Sequence, residues 1–340
     1  MSSRLPTRRI GDTPVPAIGY GAMGIAAFYG PVKPDEERLK FLDELYALGG
    51  TFWDTADVYG DSEDLIGKWF KKTGKRDDIF LATKFGSVGS PKDRTFRGDP
   101  EYVHEAFNRS ASRLGVDKID LYYLHRPDPK TPIELTVGAM AELVQAGKVR
   151  YLGLSECSLD TLRRAHAVHP ITALQVEYSP FTLDIEDEKI GLLKAARELG
   201  ITIIAYSPLG RGMLTGRYRS PDDFEEGDFR RAVPRYSKEN FPHILRLVDG
   251  LKAIGERHNA TAGQVAIAWI LAQGEDVIPI PGTTKVENLK ENLGALDVKL
   301  TPEEVQEIRE IADKAGASQG DRYPPALMKV LYGNTPSLEK

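Results

Sequence analysis

Short apolar runs alternate with longer amphipathic stretches from residue 17 to residue 282. The runs are AIGYG (17–21), TFWDT (51–55), IFLATKF (79–85), IDLYYLH (119–125), VRYLGLS (149–155), TALQVEY (172–178), ITIIAYS (201–207) and DVIPIPG (276–282). Each is too short for an average helix and rich in β-branched or aromatic residues, so each reads as a strand. Strands that are apolar on both faces are the mark of a buried parallel sheet. The stretches between them carry helix signals. PDEERLKFLDELYALG has Pro34 as its first helical residue and Gly49 and Gly50 as its stop. DPEYVHEAFNRSASRLG, TPIELTVGAMAELVQAG, SLDTLRRAHAVH and EDEKIGLLKAARELG each end at Gly or at His-Pro, where a helix should stop.

Strand-then-helix repeated eight times predicts an α/β fold, a single (β/α)8 TIM barrel. A doubly wound sheet in two halves would need a linker or a shift of composition near the middle, and there is none. RLPTRRIGDTPVPAIG predicts an N-terminal β-hairpin plugging the barrel floor. Residues 1–316 are expected to form the barrel with an extra C-terminal helix, and 317–340 a tail that is partly disordered or closes the mouth. Two features break the alternation. Residues 208–240 form a long Gly-, Arg- and Pro-rich loop, which reads as functional. The helix after it comes in two pieces, HILRLVDGLKAIGERH and TAGQVAIAWILAQ.

Composition narrows the function. The formal charge of −5, with basic and acidic residues interspersed, gives no support to a nucleic-acid partner. A single cysteine, Cys157, excludes an internal disulfide and any multi-cysteine zinc site, and it reads as a packed apolar thiol. No metal is expected. With no signal-peptide core and no membrane-length apolar run, the expected location is the cytoplasm. GYGAMG (19–24) matches G-x-G-x-x-G, but IAAFYGPVKP separates it from the next helix, so no helix N-terminus stands ready for a pyrophosphate. The glycines are better explained by a close backbone approach at the barrel mouth.

In such a barrel the chemistry sits at the C-terminal ends of the strands. Asp54 and Lys84 stand one residue before the ends of the second and third runs, Tyr59 follows in the loop after the second, and His125 ends the fourth. Each alone has a bland reading, as a helix cap, a solvated terminus or a loop residue. At consecutive strand ends they converge. A free phenol has a pKa near ~10 and transfers protons poorly at neutral pH. A neighbouring ammonium favours the phenolate, and a carboxylate fixes the ammonium. Tyr59 as acid, Lys84 as tuner, Asp54 as anchor and His125 as a second hydrogen-bond partner make a proton-transfer unit aimed at a carbonyl oxygen. Asp57 is expected to be a solvated loop residue.

FWDTADVYG, IFLATKFG and DLYYLHRPD together resemble the aldo-keto reductases, and the likeness runs from about residue 9 to residue 312. QVEYSPF, YSPLGRG and PIPGTTKVENLKENLGAL are similar to the branch with fungal YakC-type and plant auxin-induced-protein-like members. The resemblance implies an Asp54–Tyr59–Lys84–His125 tetrad in a (β/α)8 barrel that binds NADP(H) without a Rossmann domain. It further implies that Ser155 and Gln175 hold the nicotinamide carboxamide and that Tyr206 stacks on the ring. Ser207, Leu209 and Arg211 or Arg217 would take the pyrophosphate, with Met23 and Gly24 beside the cofactor. Gly282, Thr284, Asn288, Glu291 and Asn292 would meet the adenosine 2′-phosphate and adenine, with Lys285 as an extra cation. One departure stands out: Glu156 occupies a position where many members have Asn.

The implied activity is NADPH-dependent reduction of a small-molecule aldehyde or ketone. Met23, Trp53, Phe85, Phe28 and Tyr29 are expected to line an apolar substrate mouth, with Tyr323 of the tail closing it. Two other readings stay open: a barrel lyase with Lys84 as Schiff-base nucleophile, and a cofactor-binding regulatory subunit of the same fold.

Overall fold

The computed structural model describes residues 5–27, 31–89 and 93–338. β1 (Thr7–Ile10) and β2 (Thr13–Pro16) form an antiparallel hairpin. β3 (Tyr20–Gly21), β4 (Phe52–Asp54) and β5 (Phe80–Phe85) follow, and then a small antiparallel pair, β6 (Ser87–Val88) and β7 (Thr95–Phe96). β8 (Ile119–Leu124), β9 (Val149–Ser155), β10 (Ile171–Glu177), β11 (Thr202–Tyr206) and β12 (Val277–Pro279) complete the strands. Apart from β1, β2, β6 and β7, these strands form one parallel eight-stranded sheet in chain order. They are the eight strands expected from the apolar runs.

The two ends of this sheet meet. The Gly19 N–H donates to Pro279 O at 2.9 Å and the Gly21 N–H to Pro281 O at 3.3 Å. A Cβ on Gly21 would lie 2.8 Å from Ile280 O, and one on Gly282 would lie 2.7 Å from Gly21 O. Only glycine permits so close an approach, which is what the glycines of GYGAMG do. A 3-10 turn (Ala22–Ile25) follows them, and the first α-helix starts only at Asp35.

Helices Asp35–Ala47, Ser62–Thr73, Pro100–Leu114, Ile133–Gln145 and Leu159–Val168 cover the first strands. Pro34 caps the first of these helices instead of opening it. EDEKIGLLKAARELG yields only Leu192–Glu198, because the left-handed backbone of Gly191 (φ 65°) breaks the run before it, and Glu186 contacts Tyr178 and Arg309 instead. The two-piece helix is present as Phe241–Arg257 and Ala262–Leu271.

Strand periodicity assigns the side chains. Phe52, Phe80, Ala82, Leu121, Tyr123, Ala173, Ile204 and Ile278 pack inside the barrel, with Ile10 and Val15 of the hairpin among them. Arg9 O accepts a hydrogen bond from Thr202 at 3.1 Å, which fastens the hairpin to the sheet. Side chains two residues further on share the inward face. That puts Asp54, Lys84, His125, Gln175 and Tyr206 in one layer at the strands' C-terminal ends. The alternate positions between them face outward. Trp53 packs on Trp69 at 4.7 Å between ring centroids and Phe85 stacks on Tyr122 at 4.8 Å, both fully buried. Neither lines the mouth, contrary to the expectation from sequence. Phe28 and Tyr29 lie outside the described residues.

Two buried charge clusters hold the top of the barrel. Arg113 donates to Asp57 O at 2.9 Å and to Gly60 O, on either side of Tyr59, and pairs with Glu63 at 3.0 Å. Asp57 is not a solvated loop residue: its side chain is 4% exposed and its partner Arg109 is 3.4 Å away. Burial, followed by the charge of Glu63, pushes its carboxyl up to about 7. After the last long helix, Pro302–Ala315, the tail returns over the ends of β9 and β10. There Arg322, 2% exposed, meets Glu156 at 3.1 Å, Asp184 at 3.4 Å and Glu177 at 3.6 Å. The Gly333 N–H donates to Glu156 O at 2.9 Å and the Ser158 N–H to Gly333 O at 2.8 Å.

Each cluster gives a stability prediction. The raised carboxyl of Asp57 binds its proton more tightly folded than unfolded, so its contribution is fully present below pH 3.8 and is lost as pH rises toward about 7. Asp57→Asn should therefore stabilise the fold at pH 8 by an amount on the order of 2–4 kcal/mol more than at pH 4. Urea unfolding at both pH values measures this, and equal gains would contradict it. Arg322→Met leaves Glu156 and Glu177 buried without their shared cation and should cost about 3–5 kcal/mol. A loss under ~1 kcal/mol, as for a surface pair, would show that Arg322 does not anchor the tail.

Candidate active site

The ends of β4, β5 and β8 bring the tetrad together. Lys84, wholly buried, donates to Asp54 Oδ1 and to Thr55 O, the latter at 2.7 Å. Gln175 Nε2 donates to the other oxygen of Asp54 at 2.8 Å. The ammonium lies 5.0 Å from the centre of the Tyr59 ring and shares a hydrogen bond with that side chain. The Tyr59 and His125 rings meet edge to face with centroids 5.7 Å apart. Tyr59 and His125 are half-buried and face a cavity, whereas Asp54 and Lys84 lie beneath them.

The protonation states follow from this layering. Burial acts to lower Lys84, but the charge of Asp54 and the hydrogen bonds to Asp54 and Tyr59 outweigh it and hold the ammonium above its ordinary value. Burial pushes the Asp54 carboxyl up, and Lys84 and Gln175 push it back. For Tyr59 burial is also the largest effect, and it raises the phenol despite the opposing Lys84 charge. The lowering expected from sequence is present but outweighed, so Tyr59 is a neutral phenol carrying its proton. His125 is driven well below the ordinary imidazole value by burial, then by Arg126, Lys84 and Arg94. It is a neutral ring, and its Nδ1 has no hydrogen-bond partner among the described residues.

The cavity above them has a volume of about 1150 Å³, more than a single small ligand needs. All the cofactor candidates named from sequence line it, from Met23 and Gly24 at the seam to Asn288, Glu291 and Asn292. At one end stands Tyr206, its hydroxyl held by Glu156 Oε1 at 2.8 Å and near the Tyr323 hydroxyl at 3.2 Å. At the other, the helix Val286–Gly294 starts without a side-chain cap, beside the exposed Lys285 and near Thr284. Uncapped amides and a free ammonium suit a phosphate. Between them Ser207 and Arg211 hold positive φ of 49° and 57°, a strain found where a loop is shaped for a ligand. An aromatic at one end and anion donors at the other fit an extended dinucleotide such as NADP(H).

Some candidates have other engagements. Arg211 pairs with the buried Glu177 at 3.3 Å and donates to Arg322 O, so it belongs to the tail anchor. Arg217 reaches Asn288 at 2.7 Å and Glu291 at 2.6 Å, which places it at the Lys285 end. Ser155 accepts from Arg126 at 3.1 Å. Glu156 turns away from the cavity: burial acts to raise it, but Arg322 and Arg126 hold it below the usual carboxylate range. Its unusual backbone, φ 51°, accompanies that turn. Cys157 is buried, with its thiol pushed up to about 12 by burial. The sequence reading missed Arg94 and Arg126, which also line the cavity. The one signal was Arg126's place directly after His125.

A model of the aldo/keto reductase family matches residues 17–313. The aldo-keto reductase str7 of Strobilurus tenacellus is 64% identical over 339 residues, 98% of this chain and 99% of that protein. The aldo-keto reductase YakC [NADP(+)] of Schizosaccharomyces pombe is 53% identical over 340 residues, 99% of each. Among solved structures, the glycerol dehydrogenase of Gluconobacter oxydans superposes with a TM-score of 0.83 at 29% identity, covering 93% of this chain and 97% of that one. With the barrel, the strand-end layer and the full-length likeness in agreement, the chain belongs to the aldo-keto reductase family.

Proposed function

We propose that this aldo-keto reductase reduces aldehydes or ketones with NADPH and that Tyr59 is the proton donor. The observation that carries the reading is the sealed Lys84–Asp54 pair beneath two neutral, cavity-facing donors, Tyr59 and His125. The residues that fit NADP(H) lie around the same cavity, and one full-length relative carries NADP(+) in its name. Bound there, the cofactor supplies the hydride. Tyr206 would support the nicotinamide, with Ser155 and Gln175 at its carboxamide, and Lys285, Thr284 and Arg217 would take the 2′-phosphate end. Tyr59 and His125 each offer a hydrogen to the substrate oxygen, which polarises the carbonyl. As charge grows on that oxygen, Tyr59 gives up its proton, and the Lys84 ammonium stabilises the phenolate left behind.

In this reading residues 1–316 form the catalytic barrel, and the tail, 317–340, is a cover drawn over its mouth by Arg322. The partner is a small carbonyl compound, not a nucleic acid. No helix among the described residues is long and apolar enough to cross a membrane, and we place the protein in the cytoplasm. A Schiff-base lyase fits less well, since Lys84 is charged, wholly buried and tied to Asp54, whereas a nucleophilic amine must be neutral and reachable. A purely regulatory role leaves the tetrad unexplained.

Tyr59→Phe should cut kcat for an aromatic aldehyde by about 10²–10⁴-fold, with NADPH affinity by fluorescence titration unchanged. Turnover near wild type would remove Tyr59 from its role. Because Tyr59 is raised and His125 lowered, kcat for reduction should be flat from about pH 6.5 to about pH 10. It should fall in acid only below the ordinary histidine value, and an acid limb centred above ~6.5 would contradict the neutral imidazole. Lys285→Met should weaken NADPH roughly tenfold and NADH little; equal losses would place Lys285 away from the 2′-phosphate.

A further inference from the structure

The cavity wall that carries Tyr59 and His125 also carries two arginines that make no ion pair with a carboxylate among the described residues. Arg94 lies in the loop between β6 and β7, and Arg126 directly follows His125. Among the described residues Arg94 makes no hydrogen bond or ion pair, and its Nε is buried without a partner. Arg126 donates through Nη1 to His125 O at 2.7 Å and to Ser155 at 3.1 Å, both uncharged acceptors. Glu156, the carboxylate whose charge reaches Arg126, already serves Tyr206 and Arg322. Asp54, the acid at the floor of the cavity, serves Lys84 and Gln175.

Partly withdrawing two guanidinium groups from water within reach of each other's charge, with no ion-pair partner, is unfavourable. The charge of Arg126 is felt around it: burial and then Arg126 push Arg94 down, and both arginines push His125 down, whereas Arg126, lowered by burial, is held up by surroundings that include Glu156. Beyond helping to keep His125 neutral, neither charge takes part in the proton transfer. Around them Phe96, Leu327, Val330 and Leu331 give the cavity apolar wall.

We propose that Arg94 and Arg126 form an anion subsite in the substrate half of the cavity, so that the preferred carbonyl substrates carry a carboxylate or phosphate group on an apolar or aromatic body. This rests on the reductase reading above and names its substrate class. A guanidinium pairs with such oxyanions through charge-assisted, often bidentate hydrogen bonds. An arriving anion would also relieve the repulsion between the two cations.

The test is steady-state reduction with NADPH of matched pairs: 3- and 4-carboxybenzaldehyde against their methyl esters, and pyridoxal 5′-phosphate against pyridoxal. The first pairs read a carboxylate and the last a phosphate. In at least one pair the anion should be favoured at least tenfold in kcat/KM at low ionic strength, with the advantage shrinking as salt is added. In Arg94→Gln and in Arg126→Gln that ratio should fall toward one, through KM. A ratio at or below one for every pair in the wild-type enzyme overturns the subsite, and so does a ratio that survives both substitutions. Loss of NADPH affinity as the main effect would make the arginines cofactor contacts instead. Should no aldehyde be reduced, the reductase reading fails by itself. Calorimetric titration of terephthalate and its dimethyl ester into the NADPH-loaded protein then decides the subsite, with tighter terephthalate binding lost in Arg94→Gln as support and equal binding as refutation.

Discussion

The site depends on one interaction, the ion pair of Lys84 and Asp54, which is closed off from water at the ends of adjacent strands. Burying such a pair is expensive, and well-packed apolar residues of similar size commonly stabilise a fold as much or more. Its retention is therefore accounted for by chemistry. The pair keeps a fixed positive charge under a phenol that burial alone would raise still further. The result is a hydroxyl that keeps its proton until a substrate oxygen develops charge, and a ready counter-charge once the proton has left.

The rest of the barrel's upper layer serves that pair. Gln175, from the far side of the barrel, holds the second oxygen of Asp54. Arg113, from the helix Pro100–Leu114, ties the backbone on both sides of Tyr59 and so fixes the phenol above the ammonium. The seam between β3 and β12 closes only because glycines let the backbones touch, and closure brings Met23 and Gly24 to the same cavity as Thr284 and Asn288. The buried Arg322 cluster reaches the same place from the tail, through Glu156 and the hydroxyl of Tyr206.

Much of this was legible in the chain because it is periodic or local. Eight apolar runs marked the strands in order, and the polar residues at the run ends marked the tetrad. The glycines of GYGAMG, with no helix behind them, were readable as a backbone contact. Trp53 and Phe85 were misjudged although the same two-residue period assigns them: each adjoins an inward residue, Asp54 or Lys84, and so faces out. What stayed hidden was long-range. Asp57 stands in a polar loop, and its burial comes from Arg109 and Arg113, which are distant in sequence. The carboxylate of Glu156 has no local explanation, since its partner Arg322 lies 166 residues away. Arg94 and Arg126 look like ordinary surface cations until the fold sets them in the cavity wall with no carboxylate ion pair among the described residues.

The most direct measurement is the ionisation of Tyr59 itself, followed by NMR of the ¹³C-labelled phenol carbon with Tyr59→Phe to assign the signal. The account predicts a phenol that stays protonated past its free value near ~10 and moves higher still in Lys84→Met, where the opposing charge is gone. A phenol that ionises below that value, or one that Lys84→Met leaves unmoved, would contradict it.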